Sequence, residues 1–362
     1  MTAILFIFAD TKVWTMSTRI ISIFNNKGGV GKTTLLWNIG HSLGVLGKSV
    51  LLIDFDPQCN LSLAMLGVGT FTETLPTQNL PYGKAIRAFL QRFLQNTGGY
   101  EFYSHKAANT NSNTELVAGD FWLNVYAESL SVGSDLLTGT GIAKYVVLRE
   151  MVIFANDVRA KDGLPPFDFV LVDLPPSFGA LVRAALYSSD YFIVPCTPDT
   201  FSSYCVGLIG DMLPTFFQDW QAGFGRFKQS NPQFTKYDSL GRSKFAGWIF
   251  NGFDTRGGDY LKADKVHHDE ISNSVAHKLV AKLDGNICDD LPDGFMMGDI
   301  EDMNTLIQNS NWLSVPVGEL DSHRPIRSLD DRGTWRPNQV TQIQKLKTDF
   351  LHIAQNIMTY CI

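Results

Sequence analysis

The stretch Asn26-Lys27-Gly28-Gly29-Val30-Gly31-Lys32-Thr33-Thr34 constrains this chain more than any other. It lies between a bulky, β-prone run, Ile20-Ile21-Ser22-Ile23-Phe24, and a helical stretch from Lys32 to about Leu46. In that stretch Leu35, Leu36, Ile39, Leu43 and Leu46 fall at near-helical spacing, and Gly47 closes it. Ser49-Val50-Leu51-Leu52-Ile53-Asp54 then reads as a second buried strand. Strand, helix and strand in so short a span form a βαβ unit, which calls for a parallel sheet covered on both faces. Glycines let the connecting loop curl closely around anionic oxygens, and the helix behind it adds a favourable dipole. Lys32 supplies a point charge for β and γ phosphates, and Thr33 can place its hydroxyl on a magnesium ion. The expectation is a nucleotide site at the carboxyl ends of the strands of an open, doubly wound α/β sheet.

Further strand-like runs at 169–173, 191–195 and 245–250 extend that sheet. Val340, Ile343, Leu346, Phe350, Ile353 and Ile357 recur every three or four residues, which predicts an amphipathic helix over 337–360 docked on the sheet. Three stretches read as peripheral. Residues 96–114 are polar and glycine-containing, as in a mobile loop, and 218–240 carry aromatic residues without a clean period. Residues 283–323 contain nine acidic side chains and no Lys or Arg, which predicts a solvated acidic insertion. The organisation expected is an N-terminal extension over 1–16 and a single domain over 17–362, with insertions around 70–135 and 218–310.

Composition narrows the function classes. With 44% hydrophobic and 12% aromatic residues in 362, a sizeable core is available and global disorder is excluded. A net charge of −6 argues against a chain coated in positive charge, while leaving room for a local basic patch. No apolar run approaches the ~18 residues that span a bilayer, so integral membrane association is not expected. The apolar opening at 3–9 is short and has no basic stretch before it, unlike a signal peptide. The five cysteines include no C-x-x-C pair, which removes sequence support for zinc or iron–sulfur ligation and suits reduced thiols in a cytoplasm.

The glycine-rich motif departs from the plain P-loop. Asn26 stands where its first glycine is usual, and a second lysine, Lys27, follows. Here the sequence resembles the deviant Walker A ATPases of the ParA/MinD group, with the pattern K-G-G-x-G-K-T-T, and most of all the ParA partition ATPases. Leu51 to Asn60 is similar to that group's D-x-D-P-Q-G-N switch, with Cys59 in place of the glycine. Phe167 to Gly179 is similar to its Walker B and second switch, Y-D-x-x-x-x-D-x-P-P-S-x-G. The segment Asp321 to Ile326 resembles its late S-H-G-K-P without the glycine.

The resemblance implies an ATPase that uses ATP and Mg²⁺. Lys27, Gly28, Gly29, Val30, Gly31, Lys32, Thr33 and Thr34 would cradle the phosphates, and Thr33, Asp54 and Asp173 would attend the metal. Lys27, Lys32 and Asp56 would be catalytic, with Asp56 orienting or activating the attacking water and Lys27 reaching across a dimer to the partner's phosphates. A lysine acting in trans makes dimerisation depend on triphosphate, because without those phosphates its charge lacks a partner. The base pocket would fall near 195–199 and 250–254. Asn251 has two readings there, an amide that reads adenine and a turn-forming asparagine.

The same resemblance implies an ATP-bound homodimer that binds DNA nonspecifically and partitions or positions a cargo. A ParB-like or cargo-adaptor protein would stimulate hydrolysis, and localisation would be cytoplasmic, with nucleoid association in the ATP state. The DNA surface would draw on Arg242, Lys244, Arg256, Lys262, Lys265, Lys278, Lys282, Arg327, Arg332 and Arg336, although interleaved Asp264, Asp269 and Glu270 equally suit scattered solvating charge. Two alternatives remain: an ATP-bound interaction module recruiting an effector through its insertions, and a MinD-like ATPase acting on a membrane surface. Against the latter, the C-terminal helix has no Lys or Arg after Lys347.

Overall fold

The computed structural model describes residues 18–95, 97–131, 139–326 and 333–362. The expected N-terminal extension over 1–16, and Arg327 and Arg332 of the candidate DNA surface, lie outside the described residues. The order is β1 (Arg19–Ile23), α1 (Lys32–Val45), β2 (Val50–Asp54), α2 (Asn60–Thr74), α3 (Arg87–Gln95), β3 (Thr114–Val117) and α4 (Leu123–Ser131). There follow α5 (Gly139–Tyr145), α6 (Val147–Lys161), β4 (Phe169–Asp173), α7 (Ala180–Ser188), β5 (Tyr191–Cys196), α8 (Thr200–Ser230) and β6 (Lys244–Phe253). A short antiparallel ribbon, β7 (Thr255–Arg256) with β8 (Asp259–Tyr260), leads to α9 (Lys262–Ser274), β9 (Met296–Glu301), α10 (Thr305–Leu313) and α11 (Pro337–Tyr360).

Among the described residues seven strands form one sheet in the order β3-β2-β4-β1-β5-β6-β9, and every neighbouring pair is parallel. Strand alternation divides the core between its faces. Ile20, Leu51, Ile53, Val170 and Val172 pack with α4, α6, α7 and α8, whereas Ile21, Ile23, Val50, Leu52 and Leu171 pack with α1, α2 and α11. Because both faces are covered, the central strands are continuous apolar runs. The carboxyl ends of β1, β2 and β4 lie side by side, with Asp54 opposite Asp173 in register.

The C-terminal helix buries Ile343, Leu346, Phe350, Ile353 and Ile357 against this sheet, so its apolar face is covered by the protein. At Gly298 an added Cβ would lie 2.5 Å from the Ile353 side chain, so α11 approaches β9 as closely as a glycine permits. No helix among the described residues is long and apolar enough to cross a membrane.

The acidic segment departs from expectation. Residues 283–323 contain β9, a full member of the sheet, and α10. Met297, Ile300, Met303, Leu306, Val315, Val317 and Leu320 are all buried there. Asp289 is solvated, but Glu301 and Glu319 are largely covered and paired with Lys345 and Lys347, and the apolar residues of the segment complete the core. The intervals expected as insertions, 70–135 and 218–310, likewise hold β3, β6 and β9. Residues 218–230 are the last turns of α8, where Trp220 packs on Tyr187 with ring centroids 4.9 Å apart.

Candidate nucleotide-binding site

β1 ends at Ile23, and the chain turns through Asn25–Gly31 before α1 begins. Gly29 and Gly31 adopt left-handed φ values of 77° and 79°, which side chains disfavour. Gly31 is also pressed from outside, because an added Cβ would sit 2.5 Å from Nδ2 of Asn251. Gly31 caps α1 without any side-chain hydrogen bond to the helix, so the first N–H groups face the loop, as an anion site requires. Asn25, which the sequence reading did not single out, is fully buried and braces the turn. Its Nδ2 donates to the Pro195 carbonyl at 2.7 Å, and its Oδ1 accepts from the Lys27 amide at 2.9 Å.

Lys32 leaves the helix start, and its Nζ donates to the Lys27 carbonyl at 2.9 Å, bridging the loop. Burial lowers its pKa, while the nearby charges of Asp173 and Asp56 raise it in part. The Thr33 hydroxyl donates to Oδ2 of Asp173 at 2.8 Å. Asp54 is tied to α2, its Oδ2 accepting from the Ser62 amide at 2.8 Å and the Ser62 hydroxyl at 2.6 Å. Asp56 Oδ1 accepts from the Gln58 amide at 2.9 Å, which holds the turn that follows β2. Cys59, where the resemblance expects glycine, keeps a left-handed φ of 55° at the start of α2, so the turn survives at some steric cost.

Two carboxylate oxygens, Oδ1 of Asp54 and Oδ1 of Asp173, are buried with no hydrogen-bond partner among the described residues. Burial, reinforced by neighbouring carboxylate charge, pushes both groups above the ordinary carboxylate range. Unpaired buried oxygens of this kind are costly, and a hydrated divalent cation offers the compensating charge and donors. Thr33, Asp54 and Asp173 therefore fit Mg²⁺. Gly28, Gly29, Gly31, Lys32, Thr33, Thr34 and Asp56 line one cleft of about 600 Å³, which continues past Trp37 to α2 and α10.

One expectation is corrected. The Lys27 side chain does not lack a partner without triphosphate: it is ion-paired with Asp199 and donates to Thr197 Oγ1 at 2.7 Å and Ser202 Oγ at 3.2 Å. Residues 197–199, expected in the base pocket, thus hold a lysine. Asn251 is buried beneath the loop, its Nδ2 donating to the Val30 carbonyl at 3.0 Å and its Oδ1 without a hydrogen-bond partner among the described residues.

The candidate DNA residues are spread along the chain, and several are already paired. Lys244 opens β6 and Arg256 follows its far end, separated by the length of a ten-residue strand, ~30 Å. Lys244, Lys265 and Lys282 are paired with Asp289, Asp269 and Asp211.

The AAA domain family model, AAA_31, matches residues 18–219, more than half of the chain. The chain belongs to this family, as a ParA/MinD-type P-loop ATPase. The chromosome partitioning protein ParA of Caulobacter vibrioides is 29% identical to it over 184 residues, covering 51% of the chain and 58% of ParA. An uncharacterised protein of Methanocaldococcus jannaschii, MJECL24, is 30% identical over 193 residues, covering 53% of the chain and 64% of MJECL24. The chain thus aligns with less than two thirds of either relative. Among solved structures, protein DIP2308 of Corynebacterium diphtheriae superposes with a TM-score of 0.62 at 18% identity, covering 82% of the chain and 97% of DIP2308. A variant of Cyanothece McdA, solved as its ATP complex, superposes at 0.58 and 17% identity, covering 94% of the chain and 97% of McdA. These likenesses establish the ParA/MinD-type fold, a parallel sheet with helices on both faces.

Proposed function

We propose that this chain is an ATP-driven dimerising switch that binds Mg·ATP in the cleft, pairs with a second copy and hydrolyses the nucleotide slowly. The observation that carries the reading is the convergence of an uncapped helix start, Lys32, Thr33, Asp56 and two unpaired buried carboxylate oxygens at the ends of three parallel strands. Loop amides and Lys32 would take the phosphates, and Thr33, Asp173 and Asp54 would hold hydrated magnesium. The ion, when bound, neutralises charge developing on the transferring phosphoryl group. Asp56, which lines the same cleft, orients and activates the attacking water.

Lys27 gives the switch its dependence on assembly. Held by Asp199 in the single chain, it must exchange that carboxylate for phosphoryl oxygens supplied by the partner's nucleotide. The differential contact is what ties pairing to triphosphate. In the ATP state the pair binds DNA without sequence preference and positions a cargo, with a ParB-like or adaptor protein stimulating hydrolysis. The expected DNA binding is salt-sensitive and requires ATP. Gel shifts at low salt that show equal retardation with ATP, with ADP and without nucleotide would remove the DNA part of this reading. The buried apolar face of α11 disfavours a membrane-surface role for that helix.

A further inference from the structure

The two carboxylates that fit Mg²⁺ are presented in the same way. Asp173 has its Oδ2 held by the Thr33 hydroxyl at 2.8 Å, and Asp54 has its Oδ2 held by the Ser62 hydroxyl at 2.6 Å. In each, Oδ1 is buried and has no hydrogen-bond partner among the described residues. The two residues stand opposite each other in register at the ends of β2 and β4.

The two hydroxyls have different work. Thr33 lines the cleft and donates to Asp173, which leaves its oxygen lone pairs for an ion. Ser62 is fully buried, and its hydroxyl is committed on both sides: it donates to Asp54 and accepts from the Gly119 amide at 2.8 Å. A hydroxyl so occupied positions a carboxylate rather than binding the ion itself. Ser62 also donates its own amide to the same Oδ2, at 2.8 Å. One side chain thus joins the end of β2, the first turn of α2 and the loop after β3. The junction is tight, because an added Cβ at Gly119 would lie 2.9 Å from Cγ of Asp54 and 3.1 Å from Sγ of Cys59. With Oδ2 engaged twice, Oδ1 is the oxygen that Asp54 has left to offer.

We propose that Ser62 is a positioning residue of the magnesium site: by holding Oδ2 of Asp54 it reserves Oδ1 for the hydrated ion, and so sets the Mg²⁺ concentration at which the chain takes up nucleotide. The inference rests on the reading of the cleft as a Mg·ATP site.

The test is equilibrium dialysis of radiolabelled ATP against the full chain, once across a Mg²⁺ titration and once across an ATP titration at saturating Mg²⁺. Wild type is compared with Ser62→Ala, Ser62→Cys, Asp54→Asn and the double variant Asp54→Asn/Ser62→Ala, each checked for folding by its melting temperature. Ser62→Cys keeps the side-chain volume while weakening both hydrogen bonds, so it carries the test where loss of the hydroxyl unfolds the chain. The expected result is a half-maximal Mg²⁺ concentration raised about tenfold in Ser62→Ala and less in Ser62→Cys, with ATP affinity at saturating Mg²⁺ kept within about twofold. Because Ser62 acts through Asp54, Ser62→Ala adds no further shift in the Asp54→Asn background. An unchanged Mg²⁺ requirement in the folded variants, an equal loss of ATP affinity at saturating Mg²⁺, or additive effects in the double variant overturns the proposal while leaving the nucleotide site standing. A wild-type chain that binds no ATP, or binds it with no regard to Mg²⁺, defeats the reading of the cleft itself.

Discussion

The phosphate end of the cleft and its far wall are built from chain segments of opposite character. The phosphate end has a local frame: within residues 25–34 Asn25 and Lys32 close hydrogen bonds onto Lys27, and the carboxylates come from the ends of adjacent strands, while Pro195, Asp199 and Asn251 brace the loop from outside. The far wall is assembled from a distance, by α10 crossing from β9 to α2 with Asn109 holding its end from more than two hundred residues away. A local device leaves its trace in residue spacing. A distant one depends on which surfaces meet, so the first is open to recognition by motif and the second is not.

The largest expected effect sharpens the local side. Asp56→Ala should lower the hydrolysis rate about 10²- to 10⁴-fold, the usual contribution of a positioned base, while leaving ATP binding measurable. Single-turnover phosphate release checks it, and a near-wild-type rate would remove Asp56 from the chemistry. On the distant side, Leu306→Ala should cost about 2–4 kcal/mol in urea unfolding, because that side chain is buried under α10. Asp289→Asn, at a fully solvated carboxylate, should change stability by less than about 0.5 kcal/mol. Equal, small effects at both positions would restore the view of 283–323 as a solvated insertion.

Lys32→Ala should weaken ATP by about 10- to 100-fold, the scale of a charge-assisted hydrogen bond, as read by calorimetry. The smallest effect concerns a polar node that ties the two regions together. His41 of α1 accepts the Asn111 amide at Nδ1 and donates through Nε2 to Glu319 at 3.2 Å, while Lys347 of α11 also holds Glu319, at 2.9 Å. Burial lowers the His41 pKa despite the facing carboxylate, and the Lys347 charge lowers it further. A histidine depressed in the folded state takes up protons more readily when unfolded. Its contribution to stability is therefore present above about pH 6.5 and lost as pH falls below it. His41→Gln should flatten the decline in melting temperature between pH 6.5 and 5, and an unchanged slope would contradict this account of the node.

Much of the sheet was legible. Runs such as Val50–Asp54 and Phe169–Asp173 are buried on both faces, so their apolar continuity marks them as central strands of a parallel sheet. β3 was not legible, because its four residues, Thr114–Val117, include Glu115, which is held by Arg159. β9 hid for a related reason, its Gly298 and Asp299 interrupting the apolar run where α11 and Tyr260 approach. In the site, Lys32, Thr33, Asp54, Asp56 and Asp173 fall together because their spacing is set by strand ends. The Asp199 partner of Lys27, the brace at Asn25 and the α10 wall required knowing which segments cross, and no local pattern announces that.

The central claim is that triphosphate in the cleft drives two copies together through Lys27. The most direct measurement is the solution mass of Asp56→Ala by sedimentation equilibrium, with Mg·ATP and with Mg·ADP, beside the same protein carrying Lys27→Ala. The account predicts a dimer for Asp56→Ala with ATP alone, and a monomer under both nucleotides once Lys27 is removed. A monomer with ATP, or a dimer that forms equally well without Lys27, would contradict it.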